Sequence, residues 1–141
     1  MKLSQDVISV LKNILETSGF IPFEEFTAVD SLVYKDDFIA FYNLENCEKT
    51  AEAISTDGEK FYTEIDCTFE IRLFGKSGNY CDYEEFSDKC NNFFVQSAEN
   101  ENLLIKQLTM GKIIQSMPLK RLTEDASLTV KILVSEDVIS L

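Results

Sequence analysis

The chain has 141 residues, 45% of them hydrophobic, with 13 basic and 25 acidic side chains and a net charge of −12, which suits one globular domain. Because no lysine and arginine cluster is present to neutralise phosphates, direct nucleic-acid binding is not expected. No apolar run reaches the ~18 residues of a membrane span and the N-terminus lacks a signal-peptide core, so we expect a cytosolic chain without membrane contact.

The first predicted element is an amphipathic helix over residues 4–18. Apolar residues recur there at helical spacing, namely Val7, Ile8, Leu11, Ile14 and Leu15. Ser4 is the predicted N-cap, and Gly19 is the predicted C-terminal stop. Pro22 disfavours a helix in the next segment. Residues 20–32 are therefore predicted to form a packed loop with a short strand.

The centre of the chain predicts a long β-hairpin. Residues 38–44 are rich in β-formers, and residues 61–74 alternate between apolar and polar side chains. The pair Asp57-Gly58 favours a hairpin turn, which gives arms of 38–56 and 59–74. Sixteen strand residues span about 53 Å, whereas a globule of this size is about 36–40 Å across. Residues 45–53 are polar and weakly patterned, so either a protruding arm or an irregular loop is compatible with them.

A second helix is predicted over residues 83–98, after a loop at 75–80. Asp82 is its predicted N-cap, and its first turn carries Glu84 and Glu85, which suit the helix dipole. Its apolar stripe is predicted to be Phe86, Cys90, Phe93 and Phe94. The last third predicts strands at 103–108, 112–117 and 127–135, with a turn at Glu124-Asp125 and an edge or end at Pro118.

These elements predict one α+β domain, residues 1–141. We expect an antiparallel sheet that contains the long β-hairpin and has both helices packed on one face. The apolar face of the 61–74 strand is formed by Ile65, Cys67, Phe69, Ile71 and Leu73. The opposite face carries Glu64, Asp66, Thr68, Glu70 and Arg72, and it is either wet or an interface.

The sequence predicts no catalytic residue, no cofactor-binding residue and no metal ligand. Without histidine, neither a Ser-His-Asp nor a Cys-His arrangement can form. The four cysteines, Cys47, Cys67, Cys81 and Cys90, lack C-x-x-C spacing, which predicts free thiols rather than a zinc site. Acidic doublets diverge on a strand or a helix and make poor catalytic pairs. We therefore predict that the protein is not an enzyme and uses no cofactor.

The order of elements is an amphipathic helix, a hairpin ending in residues 69–75, a capped helix and closing strands through residues 130–134. This order resembles the tail terminator, or tail completion, proteins of tailed bacteriophages. Their relatives include the collar or cap proteins of contractile phage-tail-like bacteriocins. The resemblance covers nearly the whole chain and lies in pattern and length rather than in a signature motif.

This resemblance implies a ring, often of six subunits, on the head-proximal end of a finished tail tube. Such a ring ends tube polymerisation and, in contractile tails, holds the last sheath ring. The implied partners are other copies of the chain, the tail tube protein, and sheath and neck proteins. The implied location is the cytoplasm of the producing bacterium and then the assembled tail or virion. The resemblance supplies no catalytic residue and no cofactor.

Two other functions are compatible with the sequence. The first is a monomeric acidic adaptor or inhibitor that binds one basic protein. The second is a small enzyme that uses a lone carboxylate or thiol in a concave pocket. The ring hypothesis differs from both because it predicts an oligomer that fails to assemble when the hairpin is shortened between Cys47 and Lys60.

Overall fold

The computed structural model describes residues 2–24, 34–78, 82–116 and 120–137. Their elements in chain order are α1 (Lys2–Thr17), β1 (Ile21–Glu24), β2 (Ile39–Ile54), β3 (Lys60–Phe74), α2 (Tyr83–Ala98), β4 (Leu104–Met110), β5 (Ile114–Ser116) and β6 (Arg121–Asp137). The predicted α+β class is confirmed. Within the described ranges, neither helix is long and apolar enough to cross a membrane.

The six strands form one sheet in the order β1-β2-β3-β6-β4, with β5 also paired to β6. All pairings are antiparallel except that of β1 with β2, so the sheet is mixed at one edge. The short strand predicted within residues 20–32 is confirmed as β1, while residues 25–33 lie outside the described part of the chain.

The predicted hairpin is confirmed as β2 and β3, joined around Asp57-Gly58. Gly58 has a φ of 75°, a conformation that glycine adopts at little cost. The pairing continues from Ile54 and Phe61 beside the turn to the far ends of both strands. Residues 45–53 are therefore part of a paired strand, as the arm alternative requires, and they do not form an irregular loop. Two register shifts interrupt β2, one after Leu44 and one after Lys49, and both add one unpaired residue to that strand.

The hydrophobic core lies between one face of this sheet and the two helices. β3 buries four of its five predicted apolar residues, with Ile65 partly buried, and β6 places Ala126, Leu128 and Val130 beside them. The helices supply Leu11, Ile14 and Leu15 from α1, and Phe86, Cys90 and Phe93 from α2. Phe94 was predicted in the α2 stripe, but it is 41% exposed. Neighbours on a helix diverge by about 100°, so Phe93 and Phe94 cannot share the buried face.

The C-terminus of α1 is closed as predicted at Gly19. The Phe20 amide donates to the Leu15 carbonyl at 2.9 Å and the Gly19 amide donates to the Glu16 carbonyl at 3.1 Å. Together with the φ of 99° at Gly19, these bonds form a Schellman motif. The motif turns the chain so that Phe20 enters the core.

The N-cap predicted at Ser4 is wrong, whereas the N-cap predicted at Asp82 is confirmed in position. α1 begins at Lys2, so Ser4 lies inside the helix rather than at its boundary. Asp82 does precede α2, but its side chain makes no capping hydrogen bond. The acidic first turn of α2, with Glu84 and Glu85, still interacts favourably with the helix dipole.

The turn predicted at Glu124-Asp125 is also wrong, because β6 runs through both residues. Glu124 pairs with Leu73 and Asp125 pairs with Arg72 across β3. On the other side, the Gly111 amide donates to the Asp125 carbonyl at 2.7 Å. Pairing with β3, together with the hydrogen bond from Gly111, therefore overrides the local preference of this acidic pair for a turn. The strand predicted at 112–117 is shorter, Ile114–Ser116, and Pro118 lies outside the described residues.

Arg121 at the start of β6 is buried, with 1% of its surface exposed. One terminal nitrogen donates to the carbonyls of Asp37 at 3.0 Å and Gly75 at 2.7 Å, and the other donates to the carbonyl of Tyr34 at 2.7 Å. Burial lowers the pKa of Arg121, an effect that the Asp37 carboxylate opposes. The guanidinium thus links β6 to the loops before β2 and after β3, which also make backbone hydrogen bonds to each other and to the start of β6.

Glu124 is a buried carboxylate on the core side of β6, next to Cys90. Burial raises its pKa, while a hydrogen bond from Cys90 acts in the opposite direction. One carboxylate oxygen, Oε2, has no hydrogen-bond partner among the described residues. A carboxyl group whose pKa is raised by folding stabilises the protein fully below its unfolded pKa, about 4.3, and loses that contribution as pH rises through the folded value.

We therefore expect Glu124→Gln to stabilise the protein at neutral pH. The gain should be on the order of 1 kcal/mol at pH 7, because the variant no longer buries a poorly satisfied charge, and it should shrink toward pH 4. Thermal unfolding of both proteins across this range measures the difference. The same substitution at the exposed Glu101 is the control and should leave the pH profile unchanged. A gain at position 124 that does not depend on pH would contradict the argument.

Candidate assembly surface

The hairpin end of the sheet is a three-stranded arm, formed by residues 45–54 of β2, 60–64 of β3 and 133–137 of β6, in which Val134 still packs against the core. β3 and β6 are 15 and 17 residues long, which is about 50–56 Å of strand. Each helix has 16 residues and is about 24 Å long. A helix aligned with the strands would therefore cover about half of their length. All side chains of residues 45–54 are exposed.

The third strand of the arm was missed by the sequence analysis. β6 pairs with β3 along its whole length, from Phe74 opposite Thr123 to Lys60 opposite Asp137. The alternation over residues 127–135 predicted a final strand but not the strand with which it pairs. Apolar and polar residues alternate in this strand as far as Val134. This alternation was the sequence signal for the pairing, because a strand of that length needs a neighbour of similar length. The arm is thus stiffer than the two-stranded ribbon that the sequence predicted.

Both outer edges of the arm lack a strand partner within the described chain. β1 pairs only with residues 39–42 of β2, which leaves 43–54 without a described neighbour on that side. β4 and β5 pair with residues between 121 and 131 of β6. Residues 132–137 therefore also have no described strand neighbour on that side. Unpaired edges present rows of N–H and C=O groups that can accept another strand.

The arm is strongly acidic. Residues 45–64 and 133–137 contain eight acidic and two basic residues, which accounts for half of the net charge of −12. The acidic residues are Glu45, Glu48, Glu52, Asp57, Glu59, Glu64, Glu136 and Asp137. Charges on an edge strand disfavour indiscriminate pairing, and two such arms side by side would repel. The complementary surface for this arm is therefore basic.

Large apolar side chains lie among these charges. Ile54 is 62% exposed, Leu133 is 53% exposed and Tyr62 is 40% exposed. Leu133 and the neighbouring Leu104 line a shallow groove of about 650 Å³ where β4 begins. The register places Ile54 on the face of Phe61 and places Tyr62 and Leu133 on the opposite face, so both faces of the arm expose an apolar side chain.

The predicted polar face of the sheet is confirmed, and its charges are paired with one another. Arg72 Nε lies 3.1 Å from the Asp125 carboxylate, and Lys131 Nζ lies 3.5 Å from Glu64. Lys106 pairs with Asp66, and this hydrogen bond raises the pKa of Lys106. These charged side chains are therefore paired within the face, while the buried Asp66 Oδ1 has no hydrogen-bond partner among the described residues.

The side chains that could take part in chemistry lie on opposite faces of the sheet. Glu124, the carboxylate whose pKa burial raises, lies on the helix-covered side beside Cys90. The polar groove around Asp66 and Lys106 lies on the opposite face of the sheet. Among the described residues, no three histidine, cysteine, aspartate or glutamate side chains are grouped so that they could hold a metal ion.

No protein-family model matches the sequence, and no curated protein sequence matches it. A solved structure does match: the sheath/tube terminator of an extracellular contractile injection system, PVC, determined by cryo-EM in the extended state. It aligns with 96% of this chain at a TM-score of 0.51 and 11% sequence identity, and this chain spans 60% of its length. The similarity lies in the fold. At that level it confirms the predicted resemblance to tail terminator proteins.

Proposed function

We propose that this protein ends a contractile tail. In this proposal, copies of the chain form a ring, with six subunits, on the head-proximal end of the tail tube, where the ring stops tube and sheath polymerisation. The observation that carries the proposal is the fold similarity to a sheath/tube terminator over 96% of the chain. Fold similarity alone does not fix function, so the arm supplies the second argument.

The arm suits a protein that works in an assembly. Its β2 strand is exposed throughout, its two outer edges have no described strand partner, and it carries exposed apolar residues such as Ile54 and Leu133. A lone chain would leave this surface in water, whereas a neighbouring subunit or the tube would cover it. The partners that we propose are other copies of the chain, the tube protein, and sheath and neck proteins. The acidic arm faces a basic partner surface in this arrangement.

The proposed role needs no catalysis and no cofactor. It places the protein in the cytoplasm of the producing bacterium until the tail is complete and in the assembled particle afterwards. Packaged DNA is not a partner, because an acidic surface repels phosphate.

The test combines a mass measurement with a polymerisation assay. The 16.1 kDa chain is expected to give an assembly of about six times that mass in native mass spectrometry. Added to growing tubes of the tube protein from the same particle, it should stop elongation and appear as density at one tube end in electron micrographs. A strict monomer at high concentration that leaves tube length unchanged would overturn the proposal. That result would favour the acidic adaptor instead.

A further inference from the structure

Two cysteines face each other across the base of the arm. Cys47 of β2 and Cys67 of β3 are direct cross-strand partners, and their Sγ atoms are 3.1 Å apart. Opposite residues of an antiparallel pair have Cα atoms about 4.5–5.5 Å apart, which falls within the range of about 4.4–6.8 Å found in disulfides. We propose that Cys47 and Cys67 are a modification site, at which a small-molecule disulfide oxidises them to a cross-strand disulfide that clamps the arm.

The register shift in β2 is what brings the two thiols together. Beyond it, toward the turn, Ala51 pairs with Glu64. Continued without a shift, that register would place Cys47 opposite Thr68, on the other face of the sheet from Cys67. The extra residue at Thr50 moves Cys47 by one position, and the two sulfur atoms then lie on the same face. A β-bulge of this kind changes the face of the sheet on which the side chains of the bulged strand lie.

The two thiols differ in access. Cys47 is exposed and Cys67 is buried. Burial and, next, the hydrogen bond with Cys47 raise the pKa of Cys67 to about 12. A thiol so protected does not react first with a reagent in solution. Exchange therefore begins at Cys47, and Cys67 acts as the resolving thiol.

The oxidation has two steps when the oxidant is oxidised glutathione. The Cys47 thiolate attacks one glutathione sulfur, which forms a mixed disulfide and releases one reduced glutathione. Cys67 then loses its proton, attacks the Cys47 sulfur and displaces the second reduced glutathione. The two thiols give up two protons and two electrons in total, and one glutathione disulfide becomes two glutathione thiols. In a reducing cytosol the pair stays reduced.

The disulfide closes the hairpin at its base. It links positions 20 residues apart, at the point where the core ends and the exposed arm begins. The cross-link restricts the unfolded chain and prevents register slippage of β2 against β3. This role goes beyond tail termination and does not depend on it.

The test is oxidation of the folded full-length chain with glutathione disulfide, quenched with N-ethylmaleimide in denaturant. Trypsin should then yield residues 36–49 and 61–72 as one cross-linked pair, about 2 Da lighter than the two reduced peptides together. The melting temperature without reductant should rise by about 5–10 °C. Reduction should reverse both changes.

Two variants control this test. Cys47→Ser removes the exposed thiol and should abolish both the cross-linked peptide and the thermal shift, whereas Cys81→Ser should retain them. A stable mixed disulfide at Cys47 without transfer to Cys67 would overturn the proposal. So would a cross-link to Cys81 or Cys90 as the main product.

Discussion

Replacing Arg121 with alanine is expected to lower the free energy of unfolding by about 3–5 kcal/mol. The guanidinium is 1% exposed and donates to the carbonyls of Tyr34, Asp37 and Gly75. Its loss leaves these carbonyls without their charged donor in a buried place, and it opens a cavity the size of the side chain. Urea unfolding followed by circular dichroism measures the change.

Arg72→Ala is the matched control for this experiment. Arg72 is also an arginine of the sheet, but its side chain is 44% exposed and pairs with Asp125, which is 58% exposed. Exposed ion pairs contribute about 1 kcal/mol or less, so this variant should stay close to the wild type. Equal losses at the two positions would show that the Arg121 hydrogen bonds do not hold the two loops to β6.

The importance of Arg121 could not be read from the sequence, where Lys120-Arg121 is an isolated basic pair. Its three acceptors lie 46, 84 and 87 residues away along the chain, and only the closed sheet brings them together. The pattern of β3 was readable because alternation over residues 61–74 reports directly which face is buried. The turn at Asp57-Gly58 could be predicted for a similar reason, because these two residues alone favour the backbone conformation of a hairpin turn.

The elements that sequence reasoning missed depend on long-range pairing. An acidic pair such as Glu124-Asp125 favours a turn locally, and its pairing with the distant strand β3 makes it part of β6. The arm required the same information, because its third strand comes from the C-terminal part of the chain. Cys47 and Cys67 lie opposite each other because of a β-bulge that has no sequence signature. The spacing of these cysteines therefore predicted only free thiols.

Shortening the arm is expected to weaken assembly strongly while the subunit still folds. Deleting residues 51–54 from β2 and 61–64 from β3 removes four residues from each strand, so every remaining side chain keeps its face of the sheet. None of the deleted residues is buried, and the loss of stability should stay within about 2 kcal/mol. If the arm covers a neighbour, association should weaken by about 100-fold or more, which corresponds to about 2.8 kcal/mol of lost contact. Native mass spectrometry over a concentration series measures it.

A charge-matched variant separates the length of the arm from its charge. The deletion removes two acidic residues, Glu52 and Glu64, so Glu52→Gln with Glu64→Gln removes the same charges and keeps the full length. If backbone edges and apolar side chains of the arm make the contact, this variant should still assemble and stop tube growth. Loss in both variants would assign the contact to charge, and it should then weaken with added salt. A shortened protein that still forms the full assembly and stops tube growth would show that subunits meet through the helix-covered half of the chain, and the arm would have no part in ending the tail.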